Sequence, residues 1–302
     1  MESRYKDNKY EVKEQEKYNH LVKKHPCFSG EAHFKYGRIH LPVSPTCNIQ
    51  CKFCKRSLNK IENRPGVTSE ILSPTDAIEL VEKALKLCPE ITVVGIAGPG
   101  DTLATTNALE TFELIDRKYP QLIKCMSTNG LMLSEFAQRI DKAGIKSISV
   151  TVNAVDPEIL QDICTGIFYK GDYIEGKEGA AQLIEAQLEG INKISLLGVV
   201  VKVNTVLIPG LNYVHIEEIA RVTSKAGATI MNIIPLIPQN EMLNFRTPDC
   251  TELNNARKAA EKYLQVFRHC KQCRADACGI PGKEKDFAEL LYEQPQQTFS
   301  HG

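Results

Sequence analysis

Cys47, Cys51 and Cys54 stand in a C-x3-C-x2-C pattern directly after an apolar, strand-like run, Arg38 to Val43. Three thiolates on one short loop can hold three irons of a [4Fe-4S] cube and leave the fourth iron open to a small ligand. Structural zinc sites usually close four ligands around the metal from two C-x2-C knuckles, a different spacing. Other donors lie elsewhere in the chain. His25-Pro26-Cys27 precedes the strand, His40 lies on it, Cys125 ends another apolar run, and Cys270 and Cys273 form a C-x2-C. An isolated Cys is most often a small buried hydrophobe, and an isolated His is more often a hydrogen-bonded structural residue than a ligand. Together, four more thiolates and a His are enough for two further clusters or one zinc, and the spacing does not choose between them.

Composition narrows the setting. Among 302 residues, 42% are hydrophobic and 25% charged, which is ample for a substantial core in a globular chain. The 37 basic and 37 acidic side chains balance, so nothing points to an electrostatic grip on nucleic acid. No run of about 18 apolar residues is present, which argues against a membrane span, and the polar stretch Met1 to Lys24 is unlike a secretory signal. Eleven cysteines without targeting to an oxidising compartment read as metal ligands in a reducing cytoplasm rather than disulfides.

These donors need a frame, and the rest of the sequence supplies one. Short apolar runs at 38–43, 91–96, 122–125, 147–152, 199–204 and 229–234 read as buried strands. Between them lie helical patterns, one starting at Ser73-Pro74, others near 106–118, 133–143, 178–190 and 214–226, and a last one over 251–267. Such alternation implies βαβ units, a parallel sheet and an α/β fold, with active groups at the C-terminal ends of the strands. The Gly- and Tyr-rich segment 165–177 breaks the alternation and reads as a loop over the C-terminal ends of the strands, and the tail after Tyr292 as disordered. Three regions follow: an N-terminal arm at 1–34, the strand–helix units at 35–240 and a C-terminal extension at 241–302.

The cysteine triplet, with Phe53 just before its last member, resembles the signature of radical S-adenosylmethionine (SAM) enzymes, and the six strand–helix units resemble their partial (β/α)6 barrel. On that resemblance Gly98, Gly100 and Asp101 follow strand two as the glycine-rich turn that holds the methionine end of SAM. Asp101 stands where the family usually has Glu. Free amides of such a turn can bind a ligand closely. Thr128 and Asn129 after strand three, and Asn153 after strand four, are candidates for polar contacts to SAM. Ile234 on strand six is a candidate wall against adenine.

Longer motifs are similar to the NifB family of nitrogenase-cofactor assembly enzymes: His25-Pro26-Cys27-Phe28-Ser29, Ala32-His33, His40 through Cys51, Glu62-Asn63-Arg64-Pro65-Gly66-Val67, and Cys273-Arg274-Ala275-Asp276. This resemblance spans about residues 18–285. It implies a radical SAM enzyme that fuses two [4Fe-4S] clusters, with a SAM-derived carbide and an extra sulfur, into an eight-iron core. By the same carry-over, Cys47, Cys51 and Cys54 bind the radical SAM cluster. Cys27, His40 and Cys125 bind one substrate cluster, Cys270 and Cys273 the other, and Glu62 and Arg64 are catalytic groups beside them. Implied partners are iron–sulfur donor proteins, an electron donor and downstream cofactor carriers. Many relatives carry another Cys where this chain has Ser57-Leu58-Asn59-Lys60, for which Cys278 is a poor substitute. Some also carry a C-terminal cluster-accepting domain, so the chain reads as the catalytic core alone. Cys88, Cys164 and Cys250 match no motif. Two rival readings are a peptide- or RNA-modifying radical SAM enzyme with auxiliary clusters and a non-catalytic iron–sulfur scaffold.

Overall fold

Six parallel strands form the frame: β1 (Gly37–His40), β2 (Ile91–Ile96), β3 (Ile123–Thr128), β4 (Ile145–Thr151), β5 (Val200–Leu207) and β6 (Ile230–Pro235). Each pairs with its sequence neighbour, so β1 lies beside β2 and the order continues to β6. The computed structural model describes residues 21, 23–283 and 285–292. The start of the expected N-terminal arm and the tail after Tyr292 lie outside the described residues.

Parallel strands covered on both faces need near-continuous apolar sequence. β2 meets this, with five of its six residues buried. The covering helices are α1 (Pro74–Leu87), α2 (Asn107–Lys118), α3 (Leu133–Lys142), α4 (Gly176–Leu196), α5 (Ile216–Ala226) and α6 (Cys250–Ala260). α1 starts where Ser73 accepts a hydrogen bond from the Asp76 amide and Pro74 takes the first turn. It turns Ala77, Leu80, Val81 and Ala84 onto the sheet. α6 opens with a capping box between Asp249 and Glu252. It ends at Ala260 rather than at 267. Gln265–Val266 instead forms a short strand, β7, parallel to β6, and the Phe267 amide reaches Met231 O at 2.9 Å. Strand pairing to β6 overrides the helical pattern there.

On the other edge Cys278–Gly279, β8, runs antiparallel to β1. The sheet order is therefore β7-β6-β5-β4-β3-β2-β1-β8, a partial barrel whose two edges are joined by residues 267–277. That connector crosses the seam, and it carries Cys270 and Cys273.

One further piece differs from the expectations. Residues 165–177 are not a loop. Cys164–Tyr169 and Asp172–Glu175 form a hairpin, and its first strand pairs antiparallel with Ile49–Cys51 of the cysteine loop. The N-terminal segment closes the opposite end of the barrel. Phe28 and Leu21 pack with Val200 and Ile230, the first residues of β5 and β6, and with Phe267. No helix among the described residues is long and apolar enough to cross a membrane.

Candidate functional site

A cavity of about 380 Å³ opens at the C-terminal ends of the strands and continues down the barrel. Strand alternation sets its walls: Lys202, Asn204 and Val206 from β5, Ser149 and Thr151 from β4, Asn232 and Ile234 from β6. All eight candidate ligands, Cys27, His40, Cys47, Cys51, Cys54, Cys125, Cys270 and Cys273, line this one space. They arrive by different routes. The loop after β1 brings the triplet, the segment closing the barrel floor brings Cys27, and the seam connector brings Cys270 and Cys273. Cys125 is the third residue of β3, which runs on to Thr128, so it lies deep beside the Phe28 cluster and not at the mouth.

The cysteine loop is braced on three sides. The Gly100 amide donates to Ser44 O and the Asp101 amide to Thr46 O, both at 2.8 Å. These two amides of the glycine turn are therefore not free for a ligand. A Cβ on Gly100 would lie 2.0 Å from Thr46 O, so only glycine permits this approach. Asn129 Nδ2 donates to Asn48 Oδ1 at 2.7 Å from the second side. The hairpin strand Cys164–Tyr169 supplies the third, pairing Cys164 with Cys51.

Asp101 is buried, and its carboxylate accepts from the Leu103 and Asn129 amides and the Thr128 hydroxyl. Burial raises its pKa against those three donors. It ties the glycine turn to the end of β3 while still lining the cavity, as do Gly100, Thr128, Asn129 and Ile234. Gly98 and Asn153 are not among the lining residues. Asn153 Oδ1 takes the Val206 amide at 2.9 Å, and its carbonyl takes Asn212 Nδ2. Glu62 is likewise outside the lining, ion-paired to Arg64 and bonded to Asn59 Nδ2. Arg64 does line the cavity, and it holds Lys55 O and Ser57 Oγ. The hydrogen bond from Arg64 keeps the Glu62 carboxyl below its usual range.

The thiols are present in protonation states set by burial. Burial pushes the Cys27 thiol up to about 12 and the Cys47 thiol to about 11, and raises Cys54 and Cys125 as well. Cys51 is raised by its hydrogen bond with Cys164 and by burial, so Cys164 sits against the triplet rather than away from it. None of these cysteines is in a disulfide. Three cysteines of one loop opening on one cavity fit a cube held at three corners. Among the described residues no three donors converge as one metal ion would require. A cube does not require it, since each of its irons takes its own ligand. Cys278 is buried in β8 and outside the cavity. Cys88 is buried beside Glu90, and Cys250 is exposed at the start of α6.

The histidines divide by tautomer. His40 Nδ1 lies 3.1 Å from Arg274 O, and a carbonyl can only accept, so Nδ1 carries the proton and Nε2 keeps its lone pair. Burial lowers the His40 pKa to about 4, so the ring is neutral near pH 7. Its ring also occupies the space over Gly95, where a Cβ would meet Cδ2 at 2.9 Å. His33 Nδ1 is fixed in the same way by Pro26 O at 3.0 Å, leaving Nε2 buried and unpartnered. His25 is the reverse: its Nδ1 accepts the Cys27 amide at 3.2 Å, so Nε2 bears a proton.

Two charged groups inside the cavity escaped the sequence reading, Arg38 and Lys202. The signal was there in part, since Lys202 interrupts the apolar run Val199-Val200-Val201-Lys202-Val203. Burial opposes the Arg38 charge, but Cys273 and Cys27 beside it favour the charged form once ionised, and the guanidinium pKa is raised.

Residues 41–223 match the family described as the Radical SAM superfamily. The chain is similar to the FeMo cofactor biosynthesis protein NifB of Methanocaldococcus infernus, 50% identical over 280 residues, which cover 92% of each chain. The protein of the same description from Methanocaldococcus jannaschii is 48% identical, covering 92% of this chain and 93% of its own. Among solved structures, Streptococcus suis SuiB bound to S-adenosylmethionine superposes with a TM-score of 0.56 at 12% identity, over 76% of this chain and 49% of that one. That likeness concerns the fold alone.

Proposed function

The chain belongs to the NifB family of radical SAM enzymes in FeMo-cofactor biosynthesis, and from that premise we propose that it joins two [4Fe-4S] clusters, its substrates, into an eight-iron core with a central carbide and an added sulfur. The observation that carries this reading is the meeting of three separate ligand groups in one cavity. A single resident cluster would need only the first of them.

Cys47, Cys51 and Cys54 hold the radical SAM cluster, which with bound SAM supplies methyl transfer and 5′-deoxyadenosyl radical chemistry. The braces from Gly100, Asn129 and the 164–175 hairpin keep the three sulfurs facing the cavity. Thr128, Asn129 and Ile234, which line the cavity, contact SAM in this reading, while Asp101 holds the glycine turn to the end of β3. Cys27, His40 and Cys125 hold one substrate cluster, and Cys270 and Cys273 the other. Few thiolates suit a product that must leave, because each Fe–S bond has to break on release. His40, neutral and anchored through Nδ1–H, binds iron through Nε2 and departs more easily than a thiolate. Arg64, which lines the cavity, and Glu62, ion-paired to it just outside the lining, steer protons beside the clusters.

The chemistry calls for cluster-donating proteins, a one-electron donor and an acceptor for the finished core, within a reducing cytoplasm. Counting irons after anaerobic reconstitution tests the reading. Fully loaded protein should hold about twelve irons per chain, three cubes of four. A ceiling near about four would leave the radical SAM cluster alone and overturn it.

A further inference from the structure

The cavity wall is strongly asymmetric in charge. Among the described residues Arg38, Lys55, Arg56, Arg64, Lys202 and Lys271 line it, against one carboxylate, Asp101, whose oxygens are held by backbone amides and Thr128. Two of the cations lie deep among the substrate-cluster ligands. Lys202 is 6% exposed and Arg38 5%. Among the described residues neither forms an ion pair, although every other deeply buried cation does: Arg64 pairs with Glu62 and Lys124 with Asp116.

Their neutral contacts are incomplete substitutes. Lys202 Nζ donates to Cys27 O at 3.3 Å and stands 4.8 Å and 5.6 Å from the ring centres of Phe28 and Phe267. Arg38 donates to Gly279 O at 2.8 Å and to Cys273 Sγ at 3.1 Å, while its Nε, buried, has no partner. Asp286, whose field reaches Arg38, has its Oδ1 taken by the Cys278 and Ala288 amides. A buried charge without a counter-ion is strongly destabilising, because its lost hydration is not replaced. A fold that keeps two of them in one cavity is arranged for an anion that arrives later.

We propose that Arg38 and Lys202 form an anion-binding wall for the substrate clusters, with Arg38 placed between the two. This inference rests on the substrate-cluster reading above. Thiolate-ligated cubes carry net negative charge, so two of them brought together repel. Lys202 faces the Cys27 group from β5. Arg38 bonds Cys273 and shares the cavity wall with Cys27, close enough for the two to interact electrostatically, so it reaches both ligand groups. Charge then supplies the holding that missing thiolates do not, without adding an Fe–S bond that must break on release. The same positive field raises the reduction potential of a cluster beside it, because net charge is one of the terms that set that potential.

The test uses the full chain carrying Cys47→Ala, Cys51→Ala and Cys54→Ala, so that only the substrate clusters report. Lys202→Met, Lys202→Arg and Arg38→Met are compared with this parent after anaerobic loading with iron and sulfide. The readouts are irons retained after desalting, midpoint potential by EPR-monitored titration, and the unfolding temperature of the iron-free protein. Both Met variants should retain several-fold less iron, with a more negative midpoint for what remains. Their iron-free forms should unfold no earlier than the parent, since an uncompensated charge has been removed. Lys202→Arg should restore iron and potential. Parental iron content and potential in both Met variants would overturn the proposal. So would a Lys202→Arg that behaves like Lys202→Met, because shape and not charge would then matter. Should Lys202→Met fail to fold, Arg38→Met carries the same readouts. A parent that takes up no iron at all would sink the substrate-cluster reading itself, and this inference with it.

Discussion

At the scale of single residues, protons decide which donors can bind iron. The Arg274 carbonyl fixes the His40 proton on Nδ1, and burial keeps the ring neutral. Pulsed EPR of reduced, loaded protein should therefore show nitrogen coupling to a substrate cluster, and His40→Ala should abolish it while retaining SAM binding. Coupling that persists in the variant would transfer the role to His33, whose Nε2 is also bare, and not to His25, whose Nε2 carries a proton. The thiols give a second prediction. Cys27 and Cys47, at about 12 and about 11, are protonated at neutral pH, and iron must displace those protons. Loading should release acid into weak buffer, and apparent iron affinity should rise between about pH 6.5 and 8.5. A flat profile would mean the thiolates are already formed before iron arrives.

At the scale of elements, the cysteine loop is held by pieces that have other apparent purposes. The glycine turn after β2 gives its amides to Ser44 and Thr46, and Gly100 is the point of closest approach. Gly100→Ala must push the two loops apart. It should lower stability by more than about 2 kcal/mol and reduce SAM cleavage far more than it reduces iron bound at Cys270 and Cys273, checked by denaturant unfolding and by product assay. The hairpin at 164–175 could not be read from composition, because its Gly and Tyr residues look like loop. Its partner strand, Ile49–Cys51, is more than a hundred residues away, and such pairing leaves no local mark beyond alternation. The helix expected to reach 267 failed for a related reason: pairing to β6 captured its last residues.

At the scale of the whole molecule, the barrel's incompleteness is what allows three groups of candidate ligands to meet. A closed sheet would leave no seam for residues 267–277 to cross, and the floor segment would have no lumen to fill with Cys27. Because the groups arrive from separate parts of the chain, their losses should separate. Cys51→Ala should abolish SAM cleavage, since the triplet loses a corner. Cys273→Ala should cleave SAM as wild type does and yet fail to yield the eight-iron core, read by 5′-deoxyadenosine release alongside transfer of product. A Cys273→Ala protein that makes the core normally would remove the seam pair from the assembly.

Local spacing and periodicity by themselves determined the cysteine triplet, the six strand–helix units and hence a parallel α/β sheet, because C-x3-C-x2-C and apolar strand runs are short-range signals, and the resemblance of those units to a known fold implied the barrel. Longer motifs carried the family. Tertiary structure alone decided the rest. It placed Cys125 deep, turned the amides of Gly100 and Asp101 toward the cysteine loop, took Asn153 and Glu62 out of the cavity wall, and set Cys164 against Cys51. It also left Arg38 and Lys202 buried with no ion pair among the described residues. Whether a charge is paired depends on which distant segments close around it, and that is a property of packing which residue order does not display.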